Sequence, residues 1–265
     1  MTTIYTDQII AVNRNDLSLA PHLILKGVWE MELSRKCEHL VASTVEPVIF
    51  DVGANYGWYG LILSRFSAAS SVHFFEANPN LVELIKKTIS VNGLVARAHI
   101  EHSAVGFADG ATLTLNVPRF HMGSASCKSF RPEVLSQVFE SEAEVQTFQV
   151  NTCSLDQSCE TKGISSIDFM KIDVEGAEEN VLLGAKNIIE KSSRLNIMME
   201  WNRCYSDKIM EVVKGFSGCE GLALNGQFVN LSQILCDSST VLDFESRVSS
   251  LLSKPSSAFD LFFMK

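Results

Sequence analysis

The chain has 265 residues, of which 46% are hydrophobic and 20% are charged, a composition typical of a folded globular protein and too apolar for a disordered one. Acidic residues outnumber basic residues by 31 to 22, which gives a formal net charge of -9. Because this charge repels polyanions, it argues against nucleic acid as a partner.

The cysteines and the apolar segments predict the compartment. Seven cysteines include no CxxC pair, and their odd number cannot form a complete disulfide set, so a reducing environment fits best. The first residues lack a basic leader with a long apolar core, and no stretch reaches the roughly 18 apolar residues of a membrane span. We therefore expect a cytoplasmic protein that is neither exported nor embedded in a membrane.

The chain divides into an extension and one domain. Residues 1–46 are predicted to form an N-terminal helical extension or cap, with one helix from Trp29 to Ala42, and residues 47–265 to form the domain. The apolar run 48–50 enters the turn that begins at Asp51, as a buried parallel strand would. A helix is predicted over 57–66.

A second strand and helix follow directly. The run 72–75 ends in Glu76, and Asn78 followed by Pro79 predicts a helix N-terminus. That helix ends at Asn92-Gly93. A third strand is predicted over 98–105, and 112–117 is expected to be an added strand or hairpin.

The rest of the chain contains one irregular segment. Residues 118–147 are rich in proline, glycine and serine around a short amphipathic piece at 134–139, and we interpret them as a lid or substrate loop. Further strands are predicted at 148–153, 167–172, 195–200 and 259–264, with helices at 176–191 and 207–216. Alternating strands and helices predict an α/β fold with a mostly parallel sheet covered on both faces.

Acidic residues end four of the predicted strands. For any single position a polar strand end explains the acid equally well, but four in register favour a binding site at the carboxyl edge of the sheet. The turn 51–57 is not the GxGxxG of dinucleotide sites. Glu76, about 25 residues after the turn, is placed to accept hydrogen bonds from ribose hydroxyls, which favours an adenosyl ligand. The four acids are Asp51, Glu76, Asp173 and Glu200.

Six segments of the chain form a specific set of motifs. They are FDVGANYGWYG (50–60), FFEANPNLVELIKKTISVNG (74–93), SAVGFADG (103–110), GSAS (123–126), LDQ (155–157) and DFMKIDVEGAEENVLLGA (168–185). In motif, order and spacing they resemble the FkbM family of S-adenosylmethionine (SAM)-dependent methyltransferases. The resemblance implies a Rossmann-like class I methyltransferase fold with a mostly parallel seven-stranded sheet and helices on both faces. The second motif reads FEANP where FEP is commoner, and Trp58-Tyr59 is bulkier than usual.

The resemblance also implies roles in cofactor binding. Asp51 would orient the amino end of SAM, and Asp173 would face its sulfonium and amino groups, which leaves Glu175 for structure or for the acceptor. Four turn residues would wrap the methionine part: Gly53, Ala54, Asn55 and Gly57. Glu76 would hold the ribose beside Ala77 and Asn78, and Ser103 and Ala104 would flank the adenine.

Methyl transfer to an alcohol benefits from a general base. His121, in the RFHMGSAS segment, is the first candidate, although a solvent-exposed loop histidine is a comparable interpretation. Asp173, Glu175 and Glu200 are alternatives as the base. Their other possible roles are, respectively, contact with SAM, a favourable charge at a helix N-terminus and positioning of the acceptor. Magnesium is possible but not favoured, because these carboxylates lack the spacing of a recognised metal loop. Glu30 could reach over the cofactor as part of the cap.

The resemblance favours O-methylation of a hydroxyl on a small molecule such as a sugar, a polyketide or another secondary metabolite. Specificity would then lie in 118–147 and in the extension. An NAD(P)-dependent oxidoreductase is an alternative, weakened by the glycine spacing and the lack of a Tyr-x-x-x-Lys pair. A second alternative is a protein that binds SAM without catalysis and serves as a partner in a larger assembly. Methylation of a nucleic-acid base is weakened by the acidic charge and by KIDVEG in place of an Asn/Asp-Pro-Pro-aromatic turn.

Overall fold

The computed structural model describes residues 1–127, 145–202, 205–223, 225–252 and 258–265. The strands in these ranges are β1 (Thr2–Thr3), β2 (Ile9–Ile10), β3 (Val48–Val52), β4 (Ser71–Glu76), β5 (Ala98–His102), β6 (Ala104–Val105), β7 (Thr112–Pro118), β8 (Val145–Cys153), β9 (Phe169–Ile172), β10 (Asn196–Asn202), β11 (Gly218–Leu222), β12 (Phe228–Asn230) and β13 (Ala258–Met264). The helices are α1 (Ala20–Lys26), α2 (Met31–Val41), α3 (Trp58–Leu63), α4 (Pro79–Val91), α5 (Leu155–Lys162), α6 (Glu178–Leu183), α7 (Lys186–Lys191), α8 (Lys208–Val213), α9 (Ser232–Asp237) and α10 (Val241–Leu252).

The central sheet has the order β12-β11-β13-β10-β9-β3-β4-β5. The five neighbouring strands β10, β9, β3, β4 and β5 are parallel to one another, whereas β13 runs antiparallel to both β10 and β11. The predicted Rossmann-like, mostly parallel sheet is therefore confirmed. A short eighth strand, β12, joins its edge, because a turn with Gly226 at φ 78° folds the chain back beside β11.

Alternate residues of the central strands pack on opposite faces of the sheet. Ile49 and Phe169 join a core with α2, α3 and α4, whereas Phe50 and Met170 join a second core with α6 to α10. Helices thus cover both faces, as predicted. This alternation is what a strand buried on both sides requires.

Some predicted elements are divided in the structure. The third strand breaks at Ser103, whose backbone amide donates to the Glu76 carbonyl oxygen, and β6 pairs with β8 instead of the central sheet. β7 is the expected added strand, and it pairs antiparallel with β8, which lies beyond residues 118–144 in the chain. The helix predicted over 176–191 is two helices, and Gly184, which lies at the break, packs closely against the carbonyl of Gly106.

The N-terminal extension contains more structure than the one predicted helix, which corresponds to α2. It also contains α1 and the β1–β2 hairpin. The backbone amides of Ile9 and Ala11 donate to the side chains of Asn92 and Thr88 at the end of α4, at 3.0 Å each. The extension therefore packs on the domain along one side of the sheet.

Most of the predicted lid or substrate loop, including the amphipathic piece at 134–139, lies outside the described residues. Its described beginning forms a short 3₁₀ turn, Met122–Ser124. The six cysteines in the described ranges are free thiols. None of the described helices combines the length and apolar character that crossing a bilayer would require.

Gly60 of α3 packs directly against the ring of Phe74, where a Cβ atom would lie 2.3 Å from the nearest ring carbon. We predict that Gly60→Ala lowers the free energy of unfolding by about 1–3 kcal/mol, because the buried ring would have to move. Thermal unfolding followed by circular dichroism measures this. Gly106→Ala is the control, since no atom lies within 4 Å of its Cβ position; equal stability of the two variants would refute the packing argument.

Candidate active site

The turn after β3 lies against the end of β9. A Cβ atom on Gly53, which has φ 70°, would lie 1.8 Å from the carbonyl oxygen of Asp173. The amides of Gly53 and Ala54 both donate to the Phe75 carbonyl at 3.0 Å. Only glycine allows this approach, and Gly57, with φ 80°, then turns the chain into α3.

Asp51 lies beneath this turn. One carboxylate oxygen accepts a hydrogen bond from the backbone amide of Gly60 at 2.8 Å, and the other lies 3.8 Å from the ammonium of Lys171. Burial raises the pKa of Asp51 to about 6, while Lys171 and the Gly60 amide oppose that rise. The carboxyl group therefore connects α3 to the sheet beneath the turn.

Glu76 ends β4 and faces the cleft. Its two carboxylate oxygens accept hydrogen bonds from the backbone amides of Asn55 and Asn78, each at 2.7 Å. Burial raises the pKa of Glu76 to about 7, against the effect of these amides and Lys171. Each oxygen retains a second lone pair, so Glu76 can still accept hydrogen bonds from a ligand.

A cleft opens at the carboxyl ends of β3, β4 and β9. Part of its wall is apolar and is formed by Leu81, Val105 and Leu115. The predicted site residues that line it are Gly53, Asn55, Glu76, Ala77, Ser103, Ala104, Asp173 and Glu175. Predicted site residues outside its lining are Asp51, Ala54, Gly57, Asn78, His121 and Glu200.

The turn after Asp173 is held by a buried acid, Glu178, that the sequence interpretation missed. One oxygen of its fully buried carboxylate accepts from the backbone amides of Val174 and Gly176, at 3.1 and 2.9 Å. The other accepts from the Tyr205 hydroxyl at 2.8 Å and the Asn202 amide at 3.3 Å. Its position in the first turn of α6 was the available signal, since acids are common there.

Acidic groups gather beside this turn. Carboxylate oxygens of Asp173, Glu178 and Glu200 lie within 4.8 Å of one another. Loss of water contact on burial, together with the neighbouring carboxylates, raises the pKa of Glu175 to about 8 and that of Glu200 to about 7. Such a cluster could face a cationic ligand or hold a divalent cation. The sequence does not favour a metal at this position.

Lys171 is a second residue that the sequence interpretation missed. Its ammonium is buried between the glycine turn and Asp173, although it belongs to a strand whose other residues are Phe169, Met170 and Ile172. A lysine within an otherwise apolar buried strand was the available signal, because lysine is almost never fully buried unless paired.

The extension fixes the beginning of the predicted substrate loop. The buried carboxylate of Asp16 accepts from the amide of Met122 at 3.0 Å and also caps the start of α1. Gly123 packs so closely on Asn55 that a Cβ atom would lie 2.7 Å from the side-chain nitrogen. His121 immediately precedes this 3₁₀ turn and is partly buried.

Glu30, the candidate for a cap over the cofactor, lies just before α2 and outside the cleft lining. Its carboxylate accepts a hydrogen bond from the Tyr59 hydroxyl at 2.7 Å. Desolvation raises the pKa of Glu30 to about 7, and the negative charges of Asp260 and Asp173 add to the rise. The extension thus contributes a carboxyl group near the end of β9.

Comparison with known proteins gives a family match and distant relatives. Residues 51–214, more than half of the chain, match the methyltransferase FkbM domain. The 2-O-methyltransferase NoeI of Sinorhizobium fredii is 22% identical over 179 residues, which cover 63% of this chain and 70% of NoeI.

Among solved structures, a precorrin-6y C5,15-methyltransferase from Geobacter metallireducens superimposes with a TM-score of 0.43 at 11% identity, covering 91% of this chain and 92% of its own. An O-methyltransferase from Bacillus cereus in complex with SAH gives a TM-score of 0.39 at 12% identity, covering 93% and 86% of the two chains.

The four partners of Glu178 predict the effect of removing its charge. Glu178→Gln replaces an acceptor oxygen with an NH₂ group facing N–H and O–H donors, so we expect a loss of about 1–3 kcal/mol in the free energy of unfolding. Urea denaturation measures it. Glu190→Gln, at an exposed position of α7, is the control and should leave the midpoint unchanged; a wild-type midpoint for Glu178→Gln would contradict the proposed support of the turn.

Proposed function

The chain belongs to the FkbM methyltransferase family and is a SAM-dependent methyltransferase, and on that premise we propose that it methylates a hydroxyl group of a small molecule. The observation that carries this proposal is the set of carboxyl groups around Asp173. Glu175 follows the end of β9, Glu200 lies on the neighbouring strand β10, and both titrate close to neutral pH. Carboxyl groups in this state can hold a hydroxyl group and accept its proton.

The residues in the cleft fit SAM. The buried side-chain oxygen of Asn55 lies in the cleft wall without a hydrogen-bond partner, which favours a polar ligand there. Glu76 would hold the ribose, with Ala77 beside it, and Ser103 and Ala104 would flank the adenine. Ala54 and Gly57 of the turn, together with Asn78 after β4, would support the cleft wall from behind.

The positive end of the cofactor would face Asp173. When bound, SAM supplies a methyl group that is carried on a positively charged sulfur, and after the transfer this sulfur belongs to a neutral thioether. Asp173 would interact with this cationic end, and Asp51 would stabilise the turn that holds it. Alignment of the acceptor oxygen with the methyl group can provide a large share of the rate, so the chain mainly has to position the acceptor.

Glu200 is our preferred proton acceptor: it lies outside the cleft lining, but its carboxylate is within 4.8 Å of that of Asp173, which lines the cleft. It would hold the acceptor O–H by a hydrogen bond and take its proton as the new C–O bond forms, while Asn202, 3.2 Å from the Glu200 carboxylate, orients the group. Asp173, Glu175 and His121 remain alternatives for this role. Of these, Asp173 and Glu175 line the cleft, whereas His121 lies next to the lining residue Met122.

The acceptor class is proposed from charge and from one relative. A wall of carboxyl groups suits a neutral, hydroxyl-rich acceptor and disfavours polyanions, which supports a sugar, a polyketide or another secondary metabolite over nucleic acid. The 2-O-methyltransferase activity in the name of NoeI also supports a hydroxyl acceptor.

Cofactor binding tests the first part of the proposal. We expect the protein to bind SAM in calorimetry and not NAD, and Glu76→Ala to weaken SAM binding roughly ten- to a hundredfold, because hydrogen bonds to a charged group are lost. Glu83→Ala, at an exposed position of α4, should bind SAM like the wild type. Unchanged affinity for SAM in Glu76→Ala would show that Glu76 does not hold the ribose.

Turnover tests the second part. With a panel of monosaccharides, oligosaccharides and polyketide alcohols, we expect Glu200→Gln to reduce release of S-adenosylhomocysteine by about 100- to 10,000-fold while SAM affinity stays close to wild type. Because the pKa of Glu200 lies at about 7, the wild-type rate should rise with pH through neutrality and the variant should lose that rise. His121→Ala is assayed in parallel. Full activity in Glu200→Gln together with loss in His121→Ala would transfer the role to His121.

A further inference from the structure

We propose that Lys171 is a positioning residue for the cofactor: its ammonium joins the glycine turn to Asp173 and sets both the geometry and the charge of the cofactor end of the cleft. This inference rests on the proposed function, because it takes SAM as the ligand of the cleft. It assigns a role to a residue that touches neither the adenosine pocket nor the acceptor side directly.

The position of Lys171 in the sheet places it under the turn. In the parallel pairing of β3 and β9, Lys171 is the direct partner of Asp51. Only 5% of its side chain is exposed. Because partner residues on neighbouring parallel strands point to the same face, the ammonium and the Asp51 carboxylate rise together towards the turn.

The ammonium lies close to four different segments. It donates a hydrogen bond to the Gly53 carbonyl oxygen at 2.6 Å and lies 3.5 Å from a carboxylate oxygen of Asp173. It also lies 3.8 Å from the Asp51 oxygen that has no hydrogen-bond partner of its own, and 5.9 Å from the ring centroid of Tyr59. One cation thus links β3, the turn, α3 and the residue after β9.

The groups that surround Lys171 keep it charged. Burial lowers its pKa, but the carboxylates of Asp173, Asp51, Glu30 and Glu76 outweigh that effect and raise the pKa above its usual value. Asp51, in turn, faces Lys171, the Gly60 amide, Asp173, Glu76 and the thiol of Cys37 on α2.

A packing role alone does not explain this lysine. Burying a charge costs desolvation free energy, and an apolar side chain of similar volume is often as stable or more stable at such a position. The ammonium does what an apolar group cannot: it holds the Gly53 carbonyl and offers positive charge to two carboxylates at once. Removal of the charge should therefore free the turn and raise the pKa of Asp51 above about 6.

The test compares SAM binding by Lys171→Met, Lys171→Arg and the wild type, using calorimetry from acidic to alkaline pH. We expect Lys171→Met to bind SAM roughly ten- to a hundredfold more weakly at neutral pH. Its pH profile should shift to higher pH, because Asp51 loses its neighbouring cation. Lys171→Arg keeps the charge, so we expect it to keep the wild-type pH profile even if the larger side chain lowers affinity.

Lys36→Met is the matched control, because Lys36 is also largely buried and pairs with Glu220 at 2.6 Å, outside the cofactor cleft. It should lose stability without any change in SAM affinity or pH profile. If Lys171→Met does not fold, as circular dichroism would show, Lys171→Arg decides: a wild-type pH profile supports the proposal, and a shifted one overturns it.

Two outcomes overturn the inference. One is a folded Lys171→Met that binds SAM with wild-type affinity and pH profile; the other is a pair of variants that lose affinity equally at every pH, which would indicate packing alone. Neither resembles failure of the proposed function, in which the wild-type protein itself would not bind SAM.

Discussion

The contact between the Gly53 turn and the carbonyl of Asp173 is the constraint on which the site depends. The two segments belong to neighbouring parallel strands, β3 and β9, and no side chain can be accommodated between them. This contact brings the amides of the turn, the carboxylate of Glu76 and the acids after β9 around one cleft. The ammonium of Lys171 fills the space directly beneath it. Rossmann-like sheets bind ligands at this edge, and here the close approach determines how the cleft is shaped.

The charge around the cleft is the second organising feature. Glu30, Glu76, Glu175 and Glu200 all have pKa values raised to about 7 or 8. Loss of water contact on burial is the largest cause of each rise, and the negative charges of neighbouring acids add to it. A cofactor bound as proposed would place its positive charge beside these acids, and its conversion to a neutral thioether would remove that charge. The same acids would then favour binding of the substrate form over the product form of the cofactor.

Much of the fold could be predicted from the sequence, because its signals are local. Apolar runs ending in acids identified β3, β4 and β9, and Asn78 followed by Pro79 identified the start of α4. The breaks could not be predicted in this way. The third strand breaks at Ser103, after which the chain pairs with β8, and the predicted helix divides at Gly184, where a distant loop packs against the chain.

The site shows the same division between local and distant information. Motifs identified Gly53, Glu76, Asp173 and Glu175, which line the cleft. Lys171, Glu178 and Asp16 were missed, since each acts through a partner that only the fold brings near; Lys171 and Gly53 are separated by 118 positions. The roles assigned to His121 and Glu200 remain predictions because their positions alone do not decide which of them takes the proton.

The attachment of the N-terminal segment has a consequence for how the protein is made. Leu17 donates its amide to the Phe120 carbonyl, and Asp16 accepts from Met122, more than a hundred positions later in the chain. This segment leaves the ribosome before those partners are made, so it must wait for them before it can dock. Until then Leu23, Leu33 and Cys37, which are buried in the finished protein, have no core to enter, so early synthesis is the stage at which a chaperone would find apolar surface to protect.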